Sequence, residues 1–200
     1  VYLTERNLLG KGQYLSLNTN LSGDRNLINL AFTEPAFLGS DVSFGFDLFG
    51  NEQDNSDTSS YTDSEVGLGF RFGLPLSDDT RLNTRAKFTR NEVYGVASNA
   101  SAALKQLEGN RNIGELGYTL SYSSLDNPMI PSSGVSLNLS QDFSGGDVSN
   151  FSTVFSGKYY HDFDRDLIGS LHMNVGHIFS LNSKDVLISD SFADPGPLLK

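Results

Sequence analysis

The chain has 200 residues, a formal net charge of -10 and no cysteine. The lack of cysteine excludes disulfide bonds and thiolate chemistry within this chain, and the acidic balance argues against nucleic acid as a partner, because no basic stripe could neutralise phosphates. No apolar run of about 18 residues occurs, so a transmembrane helix is excluded, whereas membrane-spanning strands need only alternate over about 9–11 residues.

Short segments with strictly alternating apolar and polar residues recur along the whole chain. A period of two places successive side chains on opposite faces of a β-strand. In chain order, the predicted strands are Val1–Glu5, Gln13–Leu21, Leu27–Thr33, Val42–Phe49, Ser64–Leu74, Arg81–Tyr94, Asn112–Tyr122, Val135–Asp142, Phe151–His161 and Leu167–Phe179. Ala100–Leu107 could add a turn or two of helix within a loop. Because Val1 begins in the middle of a strand pattern, we expect the chain to be an internal piece of a longer protein.

The connections between the predicted strands fall into two classes. Those after odd-numbered strands are compact and hold Gly, Pro or Asp, whereas those after even-numbered strands are on average longer and polar, as in Gly50–Asp63, Gly95–Arg111, Phe143–Asn150 and from Ser180 onward. Short turns at one end and long loops at the other are typical of outer-membrane barrels. We therefore predict an all-β fold, an antiparallel up-and-down transmembrane β-barrel.

The sixth predicted strand separates its charges from its apolar residues. Leu82, Thr84, Ala86 and Phe88 share one face of this strand. The other face carries a basic row, whose members are Arg81, Arg85 and Lys87. A cation facing lipid at the bilayer midplane costs roughly 2–4 kcal/mol. The basic row is therefore predicted to face a water-filled lumen.

The sequence contains no recognisable catalytic, cofactor-binding or metal-binding constellation. His172 falls on the polar face and His177 on the apolar face of the last strand, so the two cannot share a metal from neighbouring positions. We predict no enzymatic activity, no cofactor and no metal.

Three of the compact turns carry distinctive residues. Glycines supply the positive φ that tight turns need, and prolines end a strand ladder or stiffen a connection. The turn residues that we single out are Asn7, Leu8, Leu9, Gly10 and Gly12 in the first turn, Glu34, Pro35, Phe37 and Gly39 in the second, and Asp126, Asn127, Pro128, Pro131 and Gly134 in the fourth.

In their order and spacing, these turns resemble those of the BamA outer-membrane assembly family, and the resemblance covers essentially the whole chain. It implies a sixteen-stranded barrel, preceded by periplasmic POTRA domains, that folds and inserts other β-barrel proteins into the bacterial outer membrane without ATP. The partners it implies are outer-membrane lipid, nascent outer-membrane β-barrel proteins and accessory lipoproteins on the periplasmic side.

Under this resemblance, residues 1–200 are expected to form one partial barrel domain of about ten strands. The POTRA domains, the first and final strands and the Arg-Gly-Phe motif of the family are expected to lie outside the chain. Since the first and last strands form the lateral gate of the family, this segment would be a supporting wall of the barrel.

Two other functions are compatible with the same pattern. A related two-partner secretion transporter or a passive pore would share the superfamily turns, and the basic row would suit a conduit. A soluble antiparallel barrel or sandwich that binds a ligand would instead require the apolar faces to pack against each other.

Overall fold

The computed structural model describes residues 1–56, 61–164 and 167–181. Within these residues the chain is almost entirely β-structure, with a 3₁₀ turn at Phe37–Gly39 and one short helix, α1 (Ala102–Leu107). The strands are β1 (Tyr2–Leu8), β2 (Gln13–Leu21), β3 (Arg25–Glu34), β4 (Ser43–Asp54), β5 (Thr62–Pro75), β6 (Thr80–Tyr94), β7 (Gly109–Ser123), β8 (Gly134–Gly146), β9 (Asn150–Asp164) and β10 (Leu167–Ser180).

All ten described strands form one sheet in the order of the chain, and each strand pairs antiparallel with the next. The predicted up-and-down topology and the number of strands are confirmed. Among the described residues β1 and β10 are the edge strands. No described helix is long and apolar enough to cross a membrane.

Several strands are longer than predicted at the end away from the compact turns. β4 continues to Asp54 and β8 to Gly146, so the predicted loops over residues 50–63 and 143–150 shrink to 55–61 and 147–149. In the extensions, polar residues pair across strands, as Asn51 does with Glu65. At the end of β4 alternation fails as a guide because Asn51 to Asp54 are polar on both faces of the sheet, and at the end of β8 the pattern is lost at Gly145 and Gly146. The predicted difference in length between the two classes of loop is therefore wrong for these connections.

Two predicted connections fall partly or wholly on residues that are not described. In the turn predicted at residues 162–166, β9 continues to Asp164 and residues 165–166 lie outside the described part of the chain. The long loop predicted from residue 180 onward also lies outside it, except for Ser180, which ends β10, and Leu181.

The sheet has no conventional hydrophobic core. Among the described residues no apolar side chain is buried, and the buried residues are Thr89 and Ser144, at 3% and 5% exposure, and two glycines, Gly45 and Gly73. Large apolar side chains such as Leu116, which is 62% exposed, cover one face of the sheet. No second sheet covers that face within the described residues, so the sandwich alternative is wrong. An apolar surface of this extent must be covered by something other than water.

Aromatic rings cluster on the apolar face near the compact turns. Phe44 pairs with Phe72 across β4 and β5, with ring centroids 5.1 Å apart. The 3₁₀ turn folds Phe37 back over this pair, 5.0 Å from Phe44 and 6.2 Å from Phe72. The second turn is thereby anchored to the apolar face by aromatic packing.

The first turn is shaped by residues in the left-handed region. Gly10 and Gly12 have φ of 72° and 70°, as predicted, and Leu9 joins them at 54°. The amide of Gly12 donates to Asn7 Oδ1 at 2.7 Å, which closes the turn. β1 extends to Leu8, so Asn7 and Leu8 end the strand and are not part of the loop itself.

Glu34 connects the first two turns. Its carboxylate accepts hydrogen bonds from the side chain of Gln13 and, at 3.2 Å, from the amide of Ala36. Gly39 ends the 3₁₀ turn with a φ of 76°, and Pro35 lies beside Gly12. The side chain of Glu34 therefore ties β2 to the second turn.

The fourth turn is organised by two side chains that accept backbone hydrogen bonds. Asp126 Oδ1 accepts from the amides of Ser132 and Ser133 at 3.0 and 3.1 Å, and Asn127 Oδ1 accepts from Met129 at 2.9 Å. Gly134 ends the turn with a φ of 109°, where a side chain would meet the backbone of Ser124 and Leu125. Pro128 and Pro131 lie between these anchors and restrict the backbone further.

We predict that Asp126 titrates far below an ordinary aspartate. The hydroxyl of Ser132, together with the backbone amides, lowers the pKa of Asp126 from its ordinary value to about 2. A depressed pKa means that the charged carboxylate supports the turn fully above about pH 4. That support is lost as the pH falls through about 2.

The titration can be followed by the carboxyl carbon resonance of Asp126 in the full-length protein in detergent micelles. Ser132→Ala should raise this pKa toward the ordinary value. A midpoint near 4 in the unaltered protein would contradict the described hydrogen bonding.

Candidate functional site: the polar face of the sheet

The face opposite the apolar one carries ion pairs that bridge several strands. Arg71 on β5 pairs with Asp47 on β4 and donates from Nη2 to Thr33 Oγ1 on β3 at 2.9 Å. One guanidinium thus connects three strands, which fixes their relative positions through charge-assisted hydrogen bonds.

A second guanidinium makes the corresponding connection further along the sheet. Arg85 on β6 donates from Nε to Asp142 Oδ1 at 2.7 Å and from Nη2 to Oδ2, which is bidentate pairing. Its Nη1 donates to Thr119 Oγ1 at 2.9 Å, and this hydroxyl lies 2.7 Å from that of Ser140. The network therefore joins β6, β7 and β8.

Lys87 lies between two carboxylates. Its Nζ is 3.3 Å from Glu65 Oε1 and 3.9 Å from Glu115 Oε2, and it stands 4.9 Å from the centroid of the Phe49 ring. Ser144 donates to Glu115 at 3.4 Å. The ammonium group is surrounded on the polar face by groups that favour its charge.

Glycines make room for these side chains. A Cβ at Gly45 would lie 2.6 Å from Arg71 Nε, and one at Gly117 would overlap the Asp142 carboxylate. Small residues on one strand thus accept the charged side chain of a neighbouring strand.

The paired side chains remain between 28% and 42% exposed. Solvent screens such pairs, so each contributes at most about 1 kcal/mol to stability. Their greater effect is geometric, because each pair requires one particular register. Three cations face four carboxylates in this network, which makes the polar face nearly neutral here.

The structure separates the members of the predicted basic row. Arg81, Arg85 and Lys87 occupy alternate positions of β6, but only Arg85 and Lys87 are paired with carboxylates. Arg81 lies at the compact-turn end, opposite Ser121, and forms no ion pair with any described residue. The carboxylate partners were not identified from the sequence, since alternation indicates a face but does not indicate which residues are opposite one another.

A polar cavity of about 330 Å³ borders this network. Thr89 and Asn91 are among the residues that line it, and the Thr89 hydroxyl and Asn91 Oδ1 are buried without a hydrogen-bond partner in the described structure. Nowhere in the described ranges do three His, Asp or Glu side chains assemble as a metal site. His172 lies 3.1 Å from the Tyr160 hydroxyl and belongs to the polar face, whereas the register places His177 on the opposite face.

We predict that Gly117→Ala destabilises the protein by about 1–3 kcal/mol, because the added methyl group would overlap the Asp142 carboxylate and would lie 2.9 Å from the backbone oxygen of Gln141. Urea unfolding of the full-length protein in lipid vesicles measures the change. Gly114→Ala is the matched control, since its Cβ meets only one carbonyl oxygen at 4.0 Å, and should stay within about 0.5 kcal/mol.

A double-mutant cycle tests the cause of this destabilisation. In an Asp142→Ser background the cost of Gly117→Ala should shrink, because the overlapping carboxylate is gone. Equal costs in both backgrounds would show that the glycine serves another purpose.

Comparison with known proteins places this chain in a family. The model of the Omp85 superfamily domain matches residues 7–197. Outer membrane protein assembly factor BamA of Nitratidesulfovibrio vulgaris (strain Hildenborough) is 31% identical over 147 residues, which are 73% of this chain and 18% of that protein. BamA of Neorickettsia risticii (strain Illinois) is 23% identical over 94% of this chain and 26% of that protein.

A solved structure shows the same fold. The crystal structure of BamA from Haemophilus ducreyi lacking POTRA domains 1–3 matches with a TM-score of 0.75 and 21% identity, and the match covers 94% of this chain and 39% of that one. The chain thus spans about a fifth to a quarter of the length of the two curated relatives. The resemblance to the BamA family is confirmed, and the chain belongs to the Omp85 superfamily.

Proposed function

We propose that this chain forms a supporting wall in the barrel of an outer-membrane protein assembly factor. The observation that carries the proposal is the match to BamA proteins along 73% and 94% of the chain. The two-faced, ten-stranded sheet is consistent with that match.

The two faces of the wall meet different surroundings in this proposal. The apolar face, with exposed residues such as Phe70 and Leu116, contacts outer-membrane lipid. The face with the ion pairs of Arg71, Arg85 and Lys87 lines the aqueous lumen. The physical support is the cost of charge in lipid, roughly 2–4 kcal/mol per Lys or Arg at the midplane.

The role of a wall follows from the hydrogen bonding. β2 to β9 are each paired along both sides, so none of them has a free edge for an incoming strand. In the proposal, nascent β-barrel proteins engage another part of the barrel, and this part holds its shape. No step of this role requires a cofactor or a covalent reaction, so the proposed protein is not an enzyme.

The compact turns form the periplasmic end of the wall in this proposal. All three turns with distinctive residues emerge at one end of the sheet, as alternate connections of an up-and-down sheet must. Exposed apolar side chains at their tips, including Leu9, Leu38 and Met129, offer contacts to periplasmic domains and accessory lipoproteins.

A two-partner secretion transporter or a passive pore is the second candidate. The basic row would favour it if the row were a bare cationic stripe. Carboxylates neutralise Arg85 and Lys87, however, and Arg81 is the one member of the row that forms no ion pair with a described residue. The row therefore provides little of the positive field that an anion conduit requires.

Depletion of the full-length protein in its host distinguishes an assembly factor from a secretion transporter and from a passive pore. If it is an assembly factor, quantitative proteomics of the outer membrane should show many unrelated β-barrel proteins falling together. Loss of a single exported protein would indicate a secretion transporter instead. An unchanged outer membrane would indicate a passive pore.

We also predict that neighbouring substitutions on β8 differ sharply. Leu139→Arg places a cation on the apolar face between Leu120 and Phe155 and should cost roughly 2–4 kcal/mol of folding stability in lipid. Asn138→Arg lies between Ser121 and Ser156 on the polar face and should be nearly neutral.

The two substituted residues lie at almost the same depth in the sheet. The stability of the two variants is compared by unfolding them in lipid vesicles, and the folded fraction is monitored through the heat-dependent mobility of the protein in SDS gels. Equal effects of the two substitutions would mean that the assignment of the faces is wrong.

A further inference from the structure

One row of polar side chains crosses the apolar face. The register connects one residue from each of five neighbouring strands, β6 to β10, directly side by side. The members of this polar row are Thr84, Tyr118, Gln141, Thr153 and His177. With strands about 4.8 Å apart, the row is about 19 Å long.

The rows on either side of the polar row are entirely apolar. Toward the compact turns the register aligns Leu82, Leu120, Leu139, Phe155 and Val175. Toward the other end it aligns Ala86, Leu116, Phe143, Phe151 and Phe179. The polar row is therefore an isolated feature of the lipid-facing surface and not the border of the apolar belt.

Hydrogen bonds link the middle of the row. The Tyr118 hydroxyl donates to Gln141 Oε1 at 2.5 Å, and Gln141 Nε2 donates to Thr153 Oγ1 at 3.2 Å. The second N–H of Gln141 and the hydroxyl hydrogen of Thr153 remain free to donate, and the Tyr118 oxygen can still accept. Such groups are costly in hydrocarbon unless a polar partner reaches them.

An apolar cleft of about 370 Å³ opens immediately beside the polar row. Its floor is formed where Gly114 and Gly145 face each other on β7 and β8, and the rings of Phe88 and Phe143 form part of its sides. Leu116 lies between this floor and Tyr118 along β7 and also lines the cleft. Hydrogen-bonding groups and a slot for hydrocarbon thus lie within a few residues of each other.

The positions of the polar row and the cleft along the strands match those of a lipid in one leaflet of the bilayer. Thr84 is four residues from the compact-turn end of β6, and Tyr118 is five residues from the same end of β7. Gly114 lies nine residues from that end of β7, closer to the middle of the bilayer. A lipid of the leaflet on the compact-turn side would therefore have its polar part at the row and its chain in the cleft.

The chemistry of the row selects the part of the lipid that it can contact. No lysine or arginine lies in the row, so it offers no fixed positive charge to a phosphate. Hydroxyl and amide groups that both donate and accept suit ester carbonyls and glycerol oxygens.

We propose that this surface is a phospholipid-binding site, in which Thr84, Tyr118 and Gln141 bind the glycerol-ester region and the cleft over Gly114 and Gly145 holds one acyl chain. The site depends on the apolar face meeting lipid, and it does not depend on the assembly activity proposed above.

Native mass spectrometry of the full-length protein, released from vesicles of phosphatidylethanolamine and phosphatidylglycerol, tests the proposal by counting retained lipids. Gly114→Leu fills the cleft and Gln141→Leu removes the central hydrogen-bonding group. Each variant is expected to lose one retained phospholipid. Gly157→Leu is the matched control, because Gly157 lies on the same face outside the cleft and meets only flexible side chains, and it should retain as many lipids as the unaltered protein.

Since the site recognises no phosphate charge, both phospholipids should be retained equally well. Heat-dependent mobility in SDS gels verifies that each variant is folded. The same lipid count in all four proteins would overturn the proposal, as would loss in Gly114→Leu without loss in Gln141→Leu. A dimer that disappears with Gln141→Leu would also overturn it, because a second copy would then occupy the row.

Discussion

Backbone hydrogen bonding is the constraint on which the rest of this structure depends. In lipid, every N–H and C=O group must find a partner within the protein, and a continuous antiparallel ladder provides it. The described strands satisfy this requirement with a single up-and-down sheet, in which each internal strand is paired on both sides. Once the ladder is formed, its register determines which side chains stand next to each other on both faces.

On the polar face, the register turns isolated charges into a connected network. Arg71, Arg85 and Lys87 each reach carboxylates one or two strands away, while Gly45 leaves room for Arg71 and Gly117 leaves room for Asp142. Screened by water, the pairs add little stability individually. They do penalise a shifted register, since a slip of one residue would move every charge to the apolar face.

The apolar face of the sheet is not uniform. Rows of Leu, Val and Phe cover it, yet the same register aligns Tyr118, Gln141 and Thr153 in a hydrogen-bonded row beside a glycine-floored cleft. The ion-pair network on one face and the lipid contact proposed for the other thus arise from one pattern of strand pairing. The two faces can carry different roles because successive side chains point to opposite sides.

The sequence by itself determined the number of strands, their order and their two faces, because alternation is a local property of the chain. It failed at the outer end of β4, where Asn51 pairs with Glu65 although the added residues are polar on both faces. Only the tertiary structure decided that Arg85 meets Asp142, 57 residues away, and that Gln141 lies between Tyr118 and Thr153. These neighbours depend on cross-strand register, which is a collective property of the sheet that no single segment encodes.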